Sequence, residues 1–298
     1  MLEKIYVLLK NSDKCKAETD IFRQNMQAHS ICVIVICAGE EKNRQQLCRI
    51  CGSQVFDTRI VSENADMENS LLVTDYIPKE LYDGGGAGDI FQKLHIVGYG
   101  LDYAGNAPYI IDGFGGISAG YMRLIYSRYT GTPYTVAVTN RLVIREMCMD
   151  DLDAMYEMYD SLSECPYIEP LYERSREAEF MQNYIRDMYG FYQYGLWLAF
   201  DRENGKLVGR IGIENRMIDK ELCRELGYLI DKRRQGRGLA YEAAQAVLDY
   251  ARAEIGLEEM YICTHINNKP SIGLAKKLGF ELYAENIDGM NLYKKRLV

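Results

Sequence analysis

Residues 231–254, DKRRQGRGLAYEAAQAVLDYARAE, limit most tightly what this chain can become. The segment before them, ELGYLI at 225–230, reads as a strand, and from Leu239 the apolar residues recur at helical spacing. A strand that feeds directly into a helix leaves the helix's first N–H groups unpaired. With the helix dipole they form an anion site. Glycine in a helix interior costs roughly 1 kcal/mol against alanine. Even so, Gly236 and Gly238 stand one residue apart at this start, among Arg233, Arg234 and Arg237. Cations at a helix N-terminus oppose its dipole. The combination predicts a phosphate site, with the glycines clearing side chains and the arginines adding charge. The plainer alternative is a solvated basic N-terminus.

The rest of the chain divides in two near TGTP, residues 130–133, which has turn chemistry. Before it, KIYVLLK, ICVIVICA, SLLVTD, KLHIVGYG and APYIID read as strands, with helical character at 18–27 and 40–48. Alternation of that kind predicts a parallel α/β sheet in a first domain, 1–132. After it, a strand (141–147) and two helices (149–162 and 173–189) lead into a meander (196–201, 207–214, 222–230). A helix at 236–255, a strand at 259–264, a helix at 269–278 and strands at 280–284 and 290–295 follow, giving an α+β second domain, 140–298.

The formal charge of −8 argues against non-specific nucleic-acid binding. No apolar run reaches membrane-spanning length, and the N-terminus turns polar too soon for a signal peptide. Nine cysteines, an odd number scattered through apolar segments, point to a reducing cytoplasm with free thiols. Cys48 and Cys51 have CxxC spacing, but a zinc site needs two more ligands, so no metal is expected. DGGGAGD, 83–89, lacks both the GxGxxG spacing and a following Lys-Ser/Thr and reads as a turn.

RRQGRGLA, 233–240, resembles the acetyl-CoA motif Q/R-x-x-G-x-G/A of the GNAT N-acetyltransferase superfamily. NKPSIGLAKKLGF, 268–280, resembles the N-x-x-S…K-x-G-F segment of the branch containing the ribosomal-protein N-acetyltransferases. RLVIRE with MDDLDAMYEMY resembles that branch's first strand and helix, and ELGYLI its cofactor strand. These pieces stand in order over about residues 140–298. A weaker resemblance links residues 70–100 to haloacid-dehalogenase-like domains. That family's paired nucleophile aspartates are missing, and Asp57 does not replace them, so the first domain is expected to be degenerate, regulatory or structural.

The GNAT resemblance implies that acetyl-CoA lies in a cleft between splayed strands. Leu229 and Ile230 would pair with the pantetheine arm, and the N–H groups of Gln235, Gly236, Arg237, Gly238, Leu239 and Ala240 would hold the pyrophosphate. Asn268 would lie along the arm. The acceptor amine must be neutral to attack, so a base is needed. Glu225 is the candidate, since alternation puts it on one strand face with Gly227 and Leu229; an exposed strand carboxylate is the alternative. The tyrosine that many relatives place seven residues after the asparagine is Ala275 here. Ser271 could protonate the leaving thiolate or merely cap its helix. His265 reads as a strand-end residue. Tyr167, Glu169 and Tyr172, between the first two helices, could form a cage for a cationic acceptor. The expected activity is acetyl transfer from acetyl-CoA to a primary amine of a small molecule or a protein N-terminus. The alternative is a non-catalytic acyl-CoA sensor. Self-association stays open.

Overall fold

A computed structural model of the chain describes residues 1–9, 16–37, 69–75, 95–100, 107–218 and 220–297. The chain divides into two compact units, Met1–Gly131 and Thr132–Val298, each with its own apolar core.

The first unit holds β1 (Lys4–Leu9), α1 (Lys16–Ala28), β2 (Cys32–Cys37), β3 (Ser70–Thr74), β4 (His95–Tyr99), β5 (Tyr109–Ile111) and α2 (Ala119–Thr130). The strands run parallel in the order β2-β1-β3-β4-β5. All five residues of β3 are buried, as a near-continuous apolar run in a parallel sheet requires. Phe22 and Met26, four apart on α1, and Met122 and Ile125, three apart on α2, are buried in the same core. All five expected strands form. Helix α2 was not anticipated, although its ends carry ordinary signals. Ser118 accepts from the Tyr121 N–H at 3.0 Å, and Gly131 closes the helix at φ 65°. The strand order is that of doubly wound sheets as a class, so the haloacid-dehalogenase-like likeness stays an expectation. Cys48, Cys51, Asp57, the DGGGAGD turn and the helix expected at 40–48 lie outside the described residues.

The second unit runs β6 (Thr135–Val138), β7 (Leu142–Arg145), α3 (Leu152–Asp160), α4 (Arg174–Tyr184), β8 (Leu196–Asp201), β9 (Leu207–Ile218) and β10 (Glu221–Ile230). It continues through α5 (Leu239–Tyr250), β11 (Glu259–His265), α6 (Lys269–Lys277), β12 (Glu281–Ile287) and β13 (Met290–Arg296). Its eight-stranded sheet has the order β12-β13-β11-β10-β9-β8-β7-β6. Every neighbouring pair is antiparallel except β10 and β11. Strand β6 was not anticipated; it pairs with β7. Helix α5 starts at Leu239, three residues later than expected, because Gly236 and Gly238 are left-handed rather than helical.

The two faces of this sheet carry different partners. Trp197 of β8 lies opposite Ile211 of β9, and its ring meets Tyr250 of α5 edge-on at 5.4 Å. Ile211 in turn lies opposite Tyr228 of β10. On the other face Arg210 reaches Tyr159 of α3 at 3.3 Å, and the Leu196 N–H donates to the Tyr184 hydroxyl of α4 at 2.7 Å. The sheet therefore stands between α5 and the α3–α4 pair.

Candidate active site

β10 pairs with β9 along its whole length, and β11 pairs with β13 along its own. Toward each other they are in register only at Glu225 and Tyr261. Each strand is committed to its antiparallel neighbour, so the parallel pair opens and leaves a cavity of about 500 Å³. Glu225, Gly227 and Tyr228 line it from β10, and Thr264 and His265 from β11; Asn268 and Ser271 line it from the start of α6, and residues 166–170 from the loop between α3 and α4.

The cavity is lined by residues from both faces of the sheet. Glu225 and Gly227 alternate with Leu226 and Tyr228, so the former belong to the α3–α4 face and the latter to the α5–α6 face. On the first face the Glu225 carboxylate is buried and accepts from Nε of Arg216 on β9. Burial pushes its pKa above the usual carboxylate value; Arg216 opposes the shift and the neighbouring charge of Glu214 adds to it. Glu214 lies directly opposite Glu225 and is itself pushed up by burial. A Cβ at Gly227 would come 2.8 Å from Oε2 of Glu214 and 3.0 Å from Cδ2 of Leu196, so a side chain here would make those two side chains shift. The Tyr167 ring packs at a tilt against His265, 5.2 Å between centroids, and both line the cavity together with Glu169. Tyr172 is not brought there. Its ring packs on Phe180 beneath the Arg176 guanidinium, and its N–H donates to Glu177.

On the second face the Tyr228 hydroxyl lies 2.8 Å from Oγ of Ser271. Burial pushes the Tyr228 phenol above its ordinary value, so it stays protonated at neutral pH. The helix cap is Asn268 rather than Ser271: its Oδ1 accepts from the Ser271 N–H at 3.4 Å, which leaves the serine hydroxyl to Tyr228. Ala275 is fully buried in the core. Sequence reasoning missed Tyr228. The signal was available, because alternation along ELGYLI puts the tyrosine on the face opposite Glu225.

The loop from Asp231 into α5 corrects one expectation and refines another. Two of its three arginines are not held for an anion alone. Arg233 pairs with the buried Asp231 at 2.7 Å and with Glu157 of α3 at 3.3 Å, and Arg234 pairs with Asp201 at 2.9 Å. Burial pushes Asp231 up, but its bonds from Arg233 and Ser161 hold it below the usual range. These carboxylates explain how cations persist beside a helix N-terminus. Among the described residues Arg237 reaches only the Arg233 carbonyl, at 3.4 Å. Gly236 and Gly238 sit at φ 74° and 76°, a left-handed backbone that favours glycine. A Cβ on Gly236 would meet nothing within 4 Å, so its outer side is also clear. Among the described residues no acceptor takes the N–H of Gly236, Arg237, Gly238, Leu239 or Ala240. The Gln235 amide donates to the Ile230 carbonyl at 2.9 Å, and the Gln235 N–H turns back to Lys232.

The family described as "Acetyltransferase (GNAT) domain" matches residues 141–281. Uncharacterized protein YkkB of Bacillus subtilis (strain 168) is 32% identical over 161 residues, which cover 53% of this chain and 91% of that protein. The chain belongs to the GNAT acetyltransferase family. Other relatives include the uncharacterized N-acetyltransferase p20 of Bacillus licheniformis, 29% identical over 48% of this chain and 80% of its own length. The spermine/spermidine N(1)-acetyltransferase of Bacillus subtilis (strain 168) is 24% identical over 52% of this chain and 97% of its own length.

Proposed function

We propose that the Thr132–Val298 unit moves the acetyl group of acetyl-CoA to a primary amine of a small molecule or a protein N-terminus. The observation that carries this reading is the cleft between β10 and β11, with a buried carboxylate on one face and a pair of hydroxyls on the other. The unpaired N–H groups from Gly236 to Ala240, with Arg237 beside them, suit a pyrophosphate. The edges of Leu229 and Asn268 suit the pantetheine arm. Ile230 has a competing partner in the Gln235 amide. Bound there, acetyl-CoA supplies the activated acetyl group.

The chain's own groups then divide the work. Glu225 takes the proton of the attacking ammonium, directly or through water. Burial raises its pKa, which brings it closer to that of the amine. Ser271 faces the departing sulfur from the opposite side and donates to it. Tyr167 and Glu169 receive the acceptor: an aromatic face and a carboxylate suit a cation. An acceptor with a second positive charge fits this wall, in keeping with the named activity of the spermine/spermidine relative. Tyr172 has no place in this reading. The Met1–Gly131 unit is read as structural or regulatory, and the free thiols of Cys32, Cys148, Cys165, Cys223 and Cys263 suit a cytoplasmic setting. Among the described residues no helix is long and apolar enough to cross a membrane.

The test is incubation of the full chain and acetyl-CoA with amino acids, polyamines, aminoglycosides and peptide N-termini, followed by mass spectrometry. Acetylated product from one class supports the reading. Acetyl-CoA binding without any product favours the sensor alternative.

A further inference from the structure

The second face of the cleft holds two hydroxyls where one was expected. Ser271 lies in the first turn of α6, and Tyr228 comes from β10, across the gap. Their oxygens are 2.8 Å apart, and the Tyr228 hydroxyl also lies 3.3 Å from the Ser271 carbonyl. Both side chains line the cavity. The helix position from which a tyrosine could otherwise face the sulfur is occupied by Ala275, which is sealed in the core.

We propose that Tyr228 completes the proton path to the coenzyme sulfur by acting through Ser271. This rests on the acetyl-transfer reading and on Ser271 as donor. In the step, the acetyl C–S bond breaks and its electron pair stays on sulfur. The Ser271 O–H proton passes to that sulfur, forming the thiol. The Tyr228 O–H proton moves to Ser271 Oγ in the same motion, and the phenolate regains a proton from solvent. No oxidant or reductant is needed. A serine hydroxyl alone is too weak an acid to give up its proton unaided; coupled to a phenol, it needs to carry no net charge. Because the phenol is supplied by the strand, its absence from α6 does not leave the cleft without a proton source. Either hydroxyl can be the donor of the 2.8 Å bond; in the arrangement that the relay uses, Tyr228 donates to Ser271 Oγ and turns the serine's own hydrogen toward the cleft, which makes Tyr228 a positioning residue.

The experiment compares wild type, Tyr228→Phe, Ser271→Ala and the double variant. With acetyl-CoA and amine both saturating, Tyr228→Phe should lower kcat about tenfold or more, with KM for acetyl-CoA little changed. The double variant should be no slower than Ser271→Ala, because the two residues act in series. A second measurement needs no turnover. Calorimetry with CoA and with desulfo-CoA, which lacks the sulfur, should show wild type preferring CoA by about two- to tenfold, the worth of one net hydrogen bond. Both single variants should lose that preference and bind desulfo-CoA as wild type does. A purely structural Tyr228 would change melting temperature but neither the preference nor the additivity. If Ser271→Ala is impaired while Tyr228→Phe keeps full kcat and full preference, the relay is overturned and the serine reading survives. Rate penalties that multiply in the double variant would also overturn it. If Ser271→Ala is itself silent in both measurements, the serine reading fails and the relay with it.

Discussion

Arg216 on β9 grips the Glu225 carboxylate through Nε, while Glu214 stands directly opposite Glu225 in the strand register. The candidate base thus lies between one cation that favours its ionised form and one carboxylate that disfavours it. Burial, the largest influence, raises its pKa and Arg216 pulls it back. A base works ionised, so activity should fall as pH drops through a value above the ordinary glutamate pKa of about 4.3. Arg216→Gln removes the opposing cation and should move this acid limb of kcat/KM to higher pH. A pH–rate profile in the two proteins checks it; an unmoved limb would remove Glu225 from the proton transfer.

The glycines of the α5 loop have two separable roles. Valine at Gly236 would combine a side chain with a left-handed backbone that β-branched residues avoid, at about 1–2 kcal/mol. Asparagine tolerates that conformation. Gly236→Asn should therefore melt near wild type without ligand yet lose most of the shift produced by acetyl-CoA. For the wild type, that shift corresponds to about 2.7 kcal/mol at a hundredfold excess over Kd. A full shift in Gly236→Asn would detach the loop from the pyrophosphate.

The loop arginines should differ in kind. Arg237 has no carboxylate partner among the described residues, so Arg237→Gln should weaken acetyl-CoA binding several-fold and leave melting unchanged. Arg234 is paired with Asp201, so Arg234→Gln should disturb stability more and affinity less. Calorimetry and thermal melts on both variants separate the two effects, and equal losses of affinity would contradict the division.

The junction between the units can be placed by truncation. β6 pairs with β7, and the Tyr134 N–H donates to the buried Glu146 carboxylate at 3.2 Å. A chain of residues 132–298 should fold alone and melt cooperatively. A chain of residues 140–298 lacks β6 and should melt lower or aggregate. Equal melting temperatures would make β6 an ornament on the sheet; an unfolded 132–298 segment would contradict the independence of the second unit.

What the sequence revealed depended on how local the signal was. RRQGRGLA is contiguous, so the loop and the strand before it were legible, and the sheet face that Glu225 takes followed from alternation. The carboxylate partners of Arg233 and Arg234 were not, because Glu157 and Asp201 are brought to the loop only by folding. The same holds for Arg216 and Glu225, which are joined by strand register. Tyr228 was hidden differently: its partner lies 43 residues away on another element, and only their 2.8 Å contact gives it a role. β6 was passed over because four residues of half-exposed TVAV carry little pattern of their own. Tyr172 was grouped with Tyr167 by proximity in the chain, which the loop does not preserve in space.

The measurement that reaches the central claim most directly is thiol release from acetyl-CoA, with the best acceptor amine, by wild type and Glu225→Gln. The exchange keeps the side chain's shape and removes the proton acceptor. It should not lower the melting temperature: a raised folded pKa means that the fold disfavours the ionised carboxylate relative to a neutral side chain. Wild type should release thiol in step with acetylated amine. Glu225→Gln should lose about a hundred- to ten-thousandfold in kcat while binding acetyl-CoA as before. Full kcat in Glu225→Gln at pH 7, or a wild type that binds acetyl-CoA and releases no thiol with any amine, would contradict the account.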